Sequence, residues 1–219
     1  MLPRTLIPLA LCVPLALIYL QVQPVSAAQQ RETESAKKTH QHQSAARYIA
    51  AKYGPFRVIC GRLELIRETD AMSPNWLKQV LADHPNLDRL DIVEGPGTVD
   101  DIANLQLGRM IREAGLKTHV PSHGSARSGA VELFLAGKER TMESGAEFAV
   151  HSWRDDYGRQ AGDPSLSGFR KDLYLDYYTD MGMSPRQAHA FYEMTNSPPH
   201  LSVRWMEANE MEQWISQYP

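Results

Sequence analysis

The segment Gly124-Ser125-Ala126-Arg127-Ser128-Gly129-Ala130 constrains the fold of this chain more than any other. It sets small residues in a turn between the strand-like Thr118-His119-Val120 and an apolar run from Val131 to Ala136, which Gly137 closes. The first backbone N–H groups of a helix have no partner inside it, so a helix entered through such a turn presents free donors at its mouth. A serine hydroxyl is a weak nucleophile that needs a base and donors for the oxyanion it creates. Ser128 stands at the helix mouth, and His151 follows at the end of the strand-like Phe148-Ala149-Val150. Taken alone, the same residues also describe a Gly/Ser loop followed by an unrelated histidine.

The rest of the chain repeats this alternation. Phe56 to Leu65 reads as a strand, with Val58, Cys60 and Leu63 apolar. Ser73-Pro74 opens a helix as a polar cap with proline at the first position, and Trp76, Leu77, Val80 and Leu81 face inward. Leu90 to Glu94 is a short strand that runs into the turn Gly95-Pro96-Gly97-Thr98. Ile102, Leu105, Met110, Ile111 and Ala114 then recur at helical spacing up to Gly115. Arg140 to Met142 and Phe148 to Val150 read as short strands. Leu166 to Met181, Pro185 to Thr195 and Glu207 to Ser216 read as helices. Strands alternating with helices imply a parallel sheet with crossover helices.

The N-terminus reads as a targeting segment. Arg4 precedes an apolar stretch from Leu6 to Leu20, and Ser26 and Ala28 fit a small-residue cleavage site. Residues 1–28 are therefore expected to be a signal peptide, with a periplasmic or otherwise exported destination. The alternative is an uncleaved membrane anchor, but the apolar run is short for a span and holds Pro8 and Pro14. Residues 29–43 are polar and read as a flexible tether, and residues 44–219 as one domain. The chain carries 23 Lys+Arg and 26 Asp+Glu, a formal net charge of −3, and removal of residues 1–28 takes away only Arg4. This balance argues against a nucleic-acid partner, which wants a basic face. Cleavage would leave Cys60 as the sole cysteine, so no internal disulfide is expected. Its strand-like setting predicts a packed thiol.

Three motifs now stand in order. A strand ends in Gly95-Pro96-Gly97-Thr98 and enters an amphipathic helix; a small-residue turn leads through Ser128-Gly129-Ala130 into an apolar helix ending Ala136-Gly137-Lys138-Glu139-Arg140; and Ala149-Val150-His151-Ser152 ends a strand. In this order the chain resembles the ClpP/crotonase superfamily, most closely the exported ClpP-like serine peptidase branch related to signal peptide peptidase. The likeness covers residues 56 to 153 well and the C-terminal helices loosely. It implies an α/β fold of repeated β-β-α units, forming a mostly parallel sheet flanked by helices, with a helical C-terminal part. It also implies a peptide or protein substrate, a homo-oligomer, and no cofactor or metal.

Carried over by position, the resemblance makes Ser128 the nucleophile and His151 the general base. Gly129 N–H would be one oxyanion donor and Gly97 or Thr98 the other, since Pro96 has no N–H. The family has Ser-Pro-Gly-Gly at the first motif, so Thr98 replaces a glycine and fits only if its φ is negative. Ser122 and Ser125 are rival nucleophiles, less well placed before Gly129-Ala130. For the third triad member, residues 195–201 offer no carboxylate. Asn196 is the first choice, His200 the second, and Asp155 and Asp156 read as solvent-facing loop acids. His119 and His123 flank Pro121 and read as incidental rather than as metal ligands. Trp153 and Arg154 are candidates for a cleft wall. Tyr174, Tyr177 and Tyr178 read as packing residues, and the charges of Arg170 to Asp180 as a solvated helix face. The leading expectation is an exported serine hydrolase. The alternatives are a catalytically weak binding or scaffold protein of the same fold and, less favoured, an acyl-CoA enzyme.

Overall fold

Between residues 89 and 150 successive strands of this chain go alternately to two sheets, and that alternation builds the site. The computed structural model describes residues 51–166 and 168–216, which belong to one compact unit. The expectations for residues 1–28 and 29–43 concern residues outside this range. Strands β1 (Ala51–Tyr53), β2 (Phe56–Ile59) and β3 (Arg62–Leu65) come first, then helix α1 (Ser73–Asp83), β4 (Arg89–Ile92) and β5 (Glu94–Gly95). Helix α2 (Asp101–Glu113), β6 (Lys117–Val120), β7 (Ser125–Arg127) and α3 (Gly129–Leu135) follow. The chain continues through β8 (Arg140–Met142), β9 (Glu147–Val150), α4 (Phe169–Asp180), α5 (Pro185–Asn196), β10 (Arg204–Glu207) and α6 (Ala208–Ile215).

One sheet has the order β1-β2-β3-β4-β6-β8 and the other β10-β9-β7-β5. Pairing is parallel from β3 through β4 and β6 to β8, and from β5 through β7 to β9; the outer pairs β1–β2, β2–β3 and β9–β10 are antiparallel. The expected mixed α/β architecture, a mostly parallel sheet arrangement flanked by helices, is observed. Each repeat gives one strand to each sheet before its helix: β4-β5-α2, then β6-β7-α3.

Helix α3 is buried on every face, with Leu133, Phe134 and Leu135 wholly enclosed. Apart from Glu132 its residues are apolar, and a helix apolar on nearly every face belongs in a core rather than at a surface. Phe134 packs on Phe148 of β9, with ring centroids 5.1 Å apart. At the start of α2 the Asp100 carboxylate accepts from Ala103 N at 3.0 Å, satisfying one orphan donor. Ser184 and Gln187 form a capping box before α5. Among the described residues no helix is long and apolar enough to cross a membrane.

The structure departs from the sequence reading at several points. Phe56 to Leu65 is a hairpin, not one strand, because Cys60 and Gly61 both take positive φ, 51° and 73°. Cys60 is therefore exposed on a turn, not packed in a strand. Ser125–Arg127 is a short strand rather than part of the turn, and Arg204–Glu207 forms an edge strand where none was expected. The fourth helix begins at Phe169 rather than Leu166.

Candidate active site

Strands β5, β7 and β9 lie side by side, and all three end at the same edge of their sheet. Glu94 pairs with Ser125 and Gly95 with Ala126, while Arg127 pairs with Ala149. The chain thus leaves β5 into Gly97-Thr98, β7 into Ser128-Gly129, and β9 into His151. In open α/β sheets the carboxyl ends of parallel strands are where ligands are bound. Here those ends open on a cavity of about 550 Å³ lined by Gly97, Thr98, Ser128, Gly129, His151 and Asn196 among others. The sequence-derived site residues therefore share one cavity, whereas Ser122 and Ser125 lie outside it. Ser122 is exposed in a loop, and Ser125 is buried with its hydroxyl accepting from Arg127.

Ser128 forms the elbow between β7 and α3. Its φ is 48° and its ψ −126°, a left-handed conformation that a side chain strains. The bond from Ser128 N to Ala149 O, 2.8 Å, pins this elbow to β9. Its hydroxyl makes no capping bond to α3. Opposite stands Gly97 at φ 132°, where a β-carbon would come within 3.1 Å of Ser128 Cβ. The neighbouring turn is equally close: a β-carbon on Gly129 would lie 2.7 Å from Thr98 Cγ2 and 2.9 Å from Asn104 Nδ2. Among the described residues only Cys60 and Ser128 are non-glycines with positive φ, so Thr98 meets the backbone condition the sequence set for it. The Thr98 hydroxyl accepts from Asp100 N at 3.1 Å, turning the chain into α2.

Two residues that sequence reading passed over tie these turns together. Asn104, buried on α2, donates from Nδ2 to Gly129 O at 2.8 Å. Its Oδ1 accepts from the buried Thr69 hydroxyl at 2.8 Å, and Thr69 N donates to Gly97 O at 3.0 Å. The legible signal was a polar Asn in the apolar phase of α2.

His151 is half-buried, and its Nδ1 lies 2.9 Å from Ser152 O. His200 Nδ1 approaches the same oxygen at 3.0 Å, and the two rings meet edge to face with centroids 4.8 Å apart. A carbonyl only accepts, and its two lone pairs can serve both rings. Both Nδ1 atoms therefore carry protons in these bonds, which leaves the Nε2 lone pair of neutral His151 available. Ser152 is fixed in turn by its N–H to Pro198 O at 2.8 Å and by its hydroxyl, which accepts from Ala161 N at 3.0 Å. Asn196 lines the cavity, but its amide is engaged elsewhere: Oδ1 accepts from Trp153 N at 3.3 Å and Nδ2 donates to Tyr192 O at 2.9 Å. The group behind the imidazole is thus a backbone carbonyl rather than Asn196. Ser128 and His151 form no hydrogen bond with each other in this state.

The inner wall is charged. Arg170 pairs with Asp101 at 2.6 Å and stacks 5.0 Å over Trp153, so it belongs to the site and not to a solvated helix face. Asp155 and Asp156 also line the cavity; Asp155 pairs with Arg159 at 2.7 Å. Glu132, one turn beyond Ser128 on α3, is only 6% exposed, and its Oε1 accepts from the Tyr178 hydroxyl at 2.8 Å. Burial pushes its carboxyl up to about 7, against the lowering effect of the Tyr178 bond. Burial, with Asp101 and Glu132 nearby, holds the Tyr174 hydroxyl well above its ordinary range, so it stays protonated.

No known family model matches the chain, and no curated protein matches it. Solved structures do. A variant of the 1510-N membrane-bound stomatin-specific protease, in complex with a substrate peptide, is 14% identical over 70% of this chain and 69% of that one, with a TM-score of 0.45. A second variant of the same protease is 12% identical over 67% and 73%, with a TM-score of 0.46. A probable enoyl-CoA hydratase/isomerase from Mycobacterium abscessus is 14% identical over 71% and 64%, with a TM-score of 0.43. Likeness of this degree does not carry a function, which has to be argued from the site.

Proposed function

We propose that this protein is a serine hydrolase that transfers an acyl group to Ser128, with a peptide or protein as substrate. The observation that supports it most is the strained Ser128 elbow, its hydroxyl free of a capping bond, facing Gly97 and sharing one cavity with His151. Backbone strain of this kind is kept where surrounding structure over-determines it, commonly at reactive sites. In the reaction, Ser128 Oγ attacks the carbonyl carbon as His151 Nε2 takes the hydroxyl proton, then returns it to the leaving group. Water releases the acyl group by the reverse roles. The N–H of Gly129 and that of Gly97 or Thr98 receive the oxyanion. The missing Ser128–His151 hydrogen bond requires the imidazole to reach the hydroxyl once substrate fills the cavity, a tightening common at empty sites.

The chemistry at Ser128 supports acyl transfer; the ClpP/crotonase-like order of the motifs adds peptidase. An exported setting with cleavage after Ala28, or anchoring by an uncleaved segment, and a homo-oligomeric state are parts of the same proposal. Labelling with a fluorophosphonate probe tests the chemistry. Wild-type protein is expected to label and a Ser128→Ala variant not to; equal labelling of both overturns the proposal. N-terminal sequencing of the exported protein and light scattering on the purified protein test the other two parts. A second reading, a scaffold with weak catalysis, is favoured by the amide of Asn196 being engaged away from His151. It predicts that Ser128→Ala leaves the cellular phenotype intact at equal protein abundance.

A further inference from the structure

The cavity does not end at Ser128. It continues past Gly129 to the face of α3 that carries Glu132, between α2 and the tyrosines of α4. Glu132 follows Ser128 by one helical turn, about 6 Å along the axis. Side chains on a helix lean toward its N-terminus, so this carboxylate leans back toward the Ser128-Gly129 turn. Oε1 accepts from the Tyr178 hydroxyl, and the carboxylate is also held by its own backbone N–H. This buried acid lines the cavity with a tyrosine hydroxyl and its own N–H as its partners, and with no cation among the described residues.

A glutamate is almost never this buried without a cationic partner. Arg170, which lines the same cavity, is taken by Asp101 and by the face of Trp153. Glu132 makes no ion pair among the described residues. Around the same cavity stand five further acids, Glu68, Asp100, Asp101, Asp155 and Asp156, against two arginines, Arg154 and Arg170. The aromatic walls, Tyr174 and Tyr178, can cover an aliphatic stem.

We infer that Glu132 is the specificity-determining residue of a side-chain subsite beside Ser128, and that the subsite takes an ammonium or guanidinium carried on an aliphatic stem, as in Lys or Arg. This deepens the hydrolase reading and rests on it. The ligand cation completes the pair that Glu132 lacks, while Tyr178 keeps the other carboxylate oxygen in place. Only ionised Glu132 serves, so cation binding weakens as pH falls through about 7, with Tyr174 and Tyr178 neutral throughout and Asp101 paired to Arg170.

Two arms on the full-length protein test the subsite. In the first, kcat/KM is measured for acyl peptide esters ending in Lys, Arg, norleucine or Glu. Lys and Arg esters are expected to lead, and Glu132→Gln to lower them at least about 30-fold while sparing norleucine. An equal loss on all four esters, or an unchanged Lys and Arg preference, overturns the subsite. In the second, binding of agmatine and n-butylamine is measured by calorimetry on Ser128→Ala and on Ser128→Ala/Glu132→Gln, independently of turnover. Binding that needs Glu132 supports the subsite even if no ester is cleaved, in which case the hydrolase reading fails separately. No binding to Ser128→Ala at pH 8, with the fold verified by thermal melting, overturns it.

Discussion

Asn104 Nδ2 donates to Gly129 O at 2.8 Å, binding the amphipathic helix α2 to the first residue of the buried helix α3. Through Thr69 the same amide reaches the Gly97 turn, so one buried side chain sets the spacing between the two turns that face each other across the cavity. Replacing Asn104 by Ala removes two buried hydrogen bonds, leaving the Thr69 hydroxyl only the longer contact to Gly97 O at 3.4 Å. The expected cost is about 1–3 kcal/mol in urea melts, with a slower fluorophosphonate reaction in the protein that remains folded. Labelling at the wild-type rate would show that the spacing does not depend on Asn104.

Gly129 admits no side chain. Its added methyl would meet Thr98 Cγ2 at 2.7 Å, so Gly129→Ala should separate the turns, lower stability by about 1–3 kcal/mol and abolish labelling. Thr98→Gly removes the colliding group. Gly129→Ala/Thr98→Gly should therefore recover part of the lost stability, and a double variant no more stable than Gly129→Ala would refute the contact.

Ser128 holds its left-handed conformation at a cost. Ser128→Gly should raise unfolding stability, by up to about 1 kcal/mol, while eliminating labelling. A variant less stable than wild type would mean that the hydroxyl contributes more to the fold than the strain removes.

Glu132 links stability to pH. Its carboxyl titrates near 7 in the folded chain and near 4.5 when exposed. Between these values the folded state holds the extra proton, so its stabilising effect is complete below about 4.5 and is lost as pH rises through 7. The loss approaches about 3 kcal/mol. Unfolding curves of wild type and Glu132→Gln at pH 5 and pH 8 should diverge accordingly, with wild type declining more on going to pH 8. Parallel declines would rule the linkage out.

The same physical facts explain which parts could be seen in the sequence. The spacing Leu105, Met110, Ile111 marked α2 because one helix face is buried, although Ile102 of the same series is 64% exposed; Leu90 and Ile92 marked a strand although Asp91 between them is buried as well. The Gly97, Ser128 and His151 motifs came in the right order because each ends a strand of one parallel array. Contacts made by distant residues were hidden. His200 lies beside His151, and Arg170 beside Asp101, only because α4 and α5 fold back over the cavity. Arg204–Glu207 escaped notice as a strand because its edge position leaves Trp205 55% exposed and breaks the inside–outside alternation. The hairpin at Cys60-Gly61 depends on a positive φ at a cysteine, which composition does not announce.

The mount of His151 is assembled from both sides of the chain. On one flank β9 is parallel to β7; on the other it is antiparallel to β10, and Ser152 N is held by Pro198 O. Ser128 and its elbow need residues up to about 150, whereas the imidazole is fixed only after residues 198–207 have folded back. A chain cut before residue 198 would therefore lose the bond from Ser152 N to Pro198 O and the β9–β10 pairing that mount His151, but none of the residues paired with the Ser128 elbow.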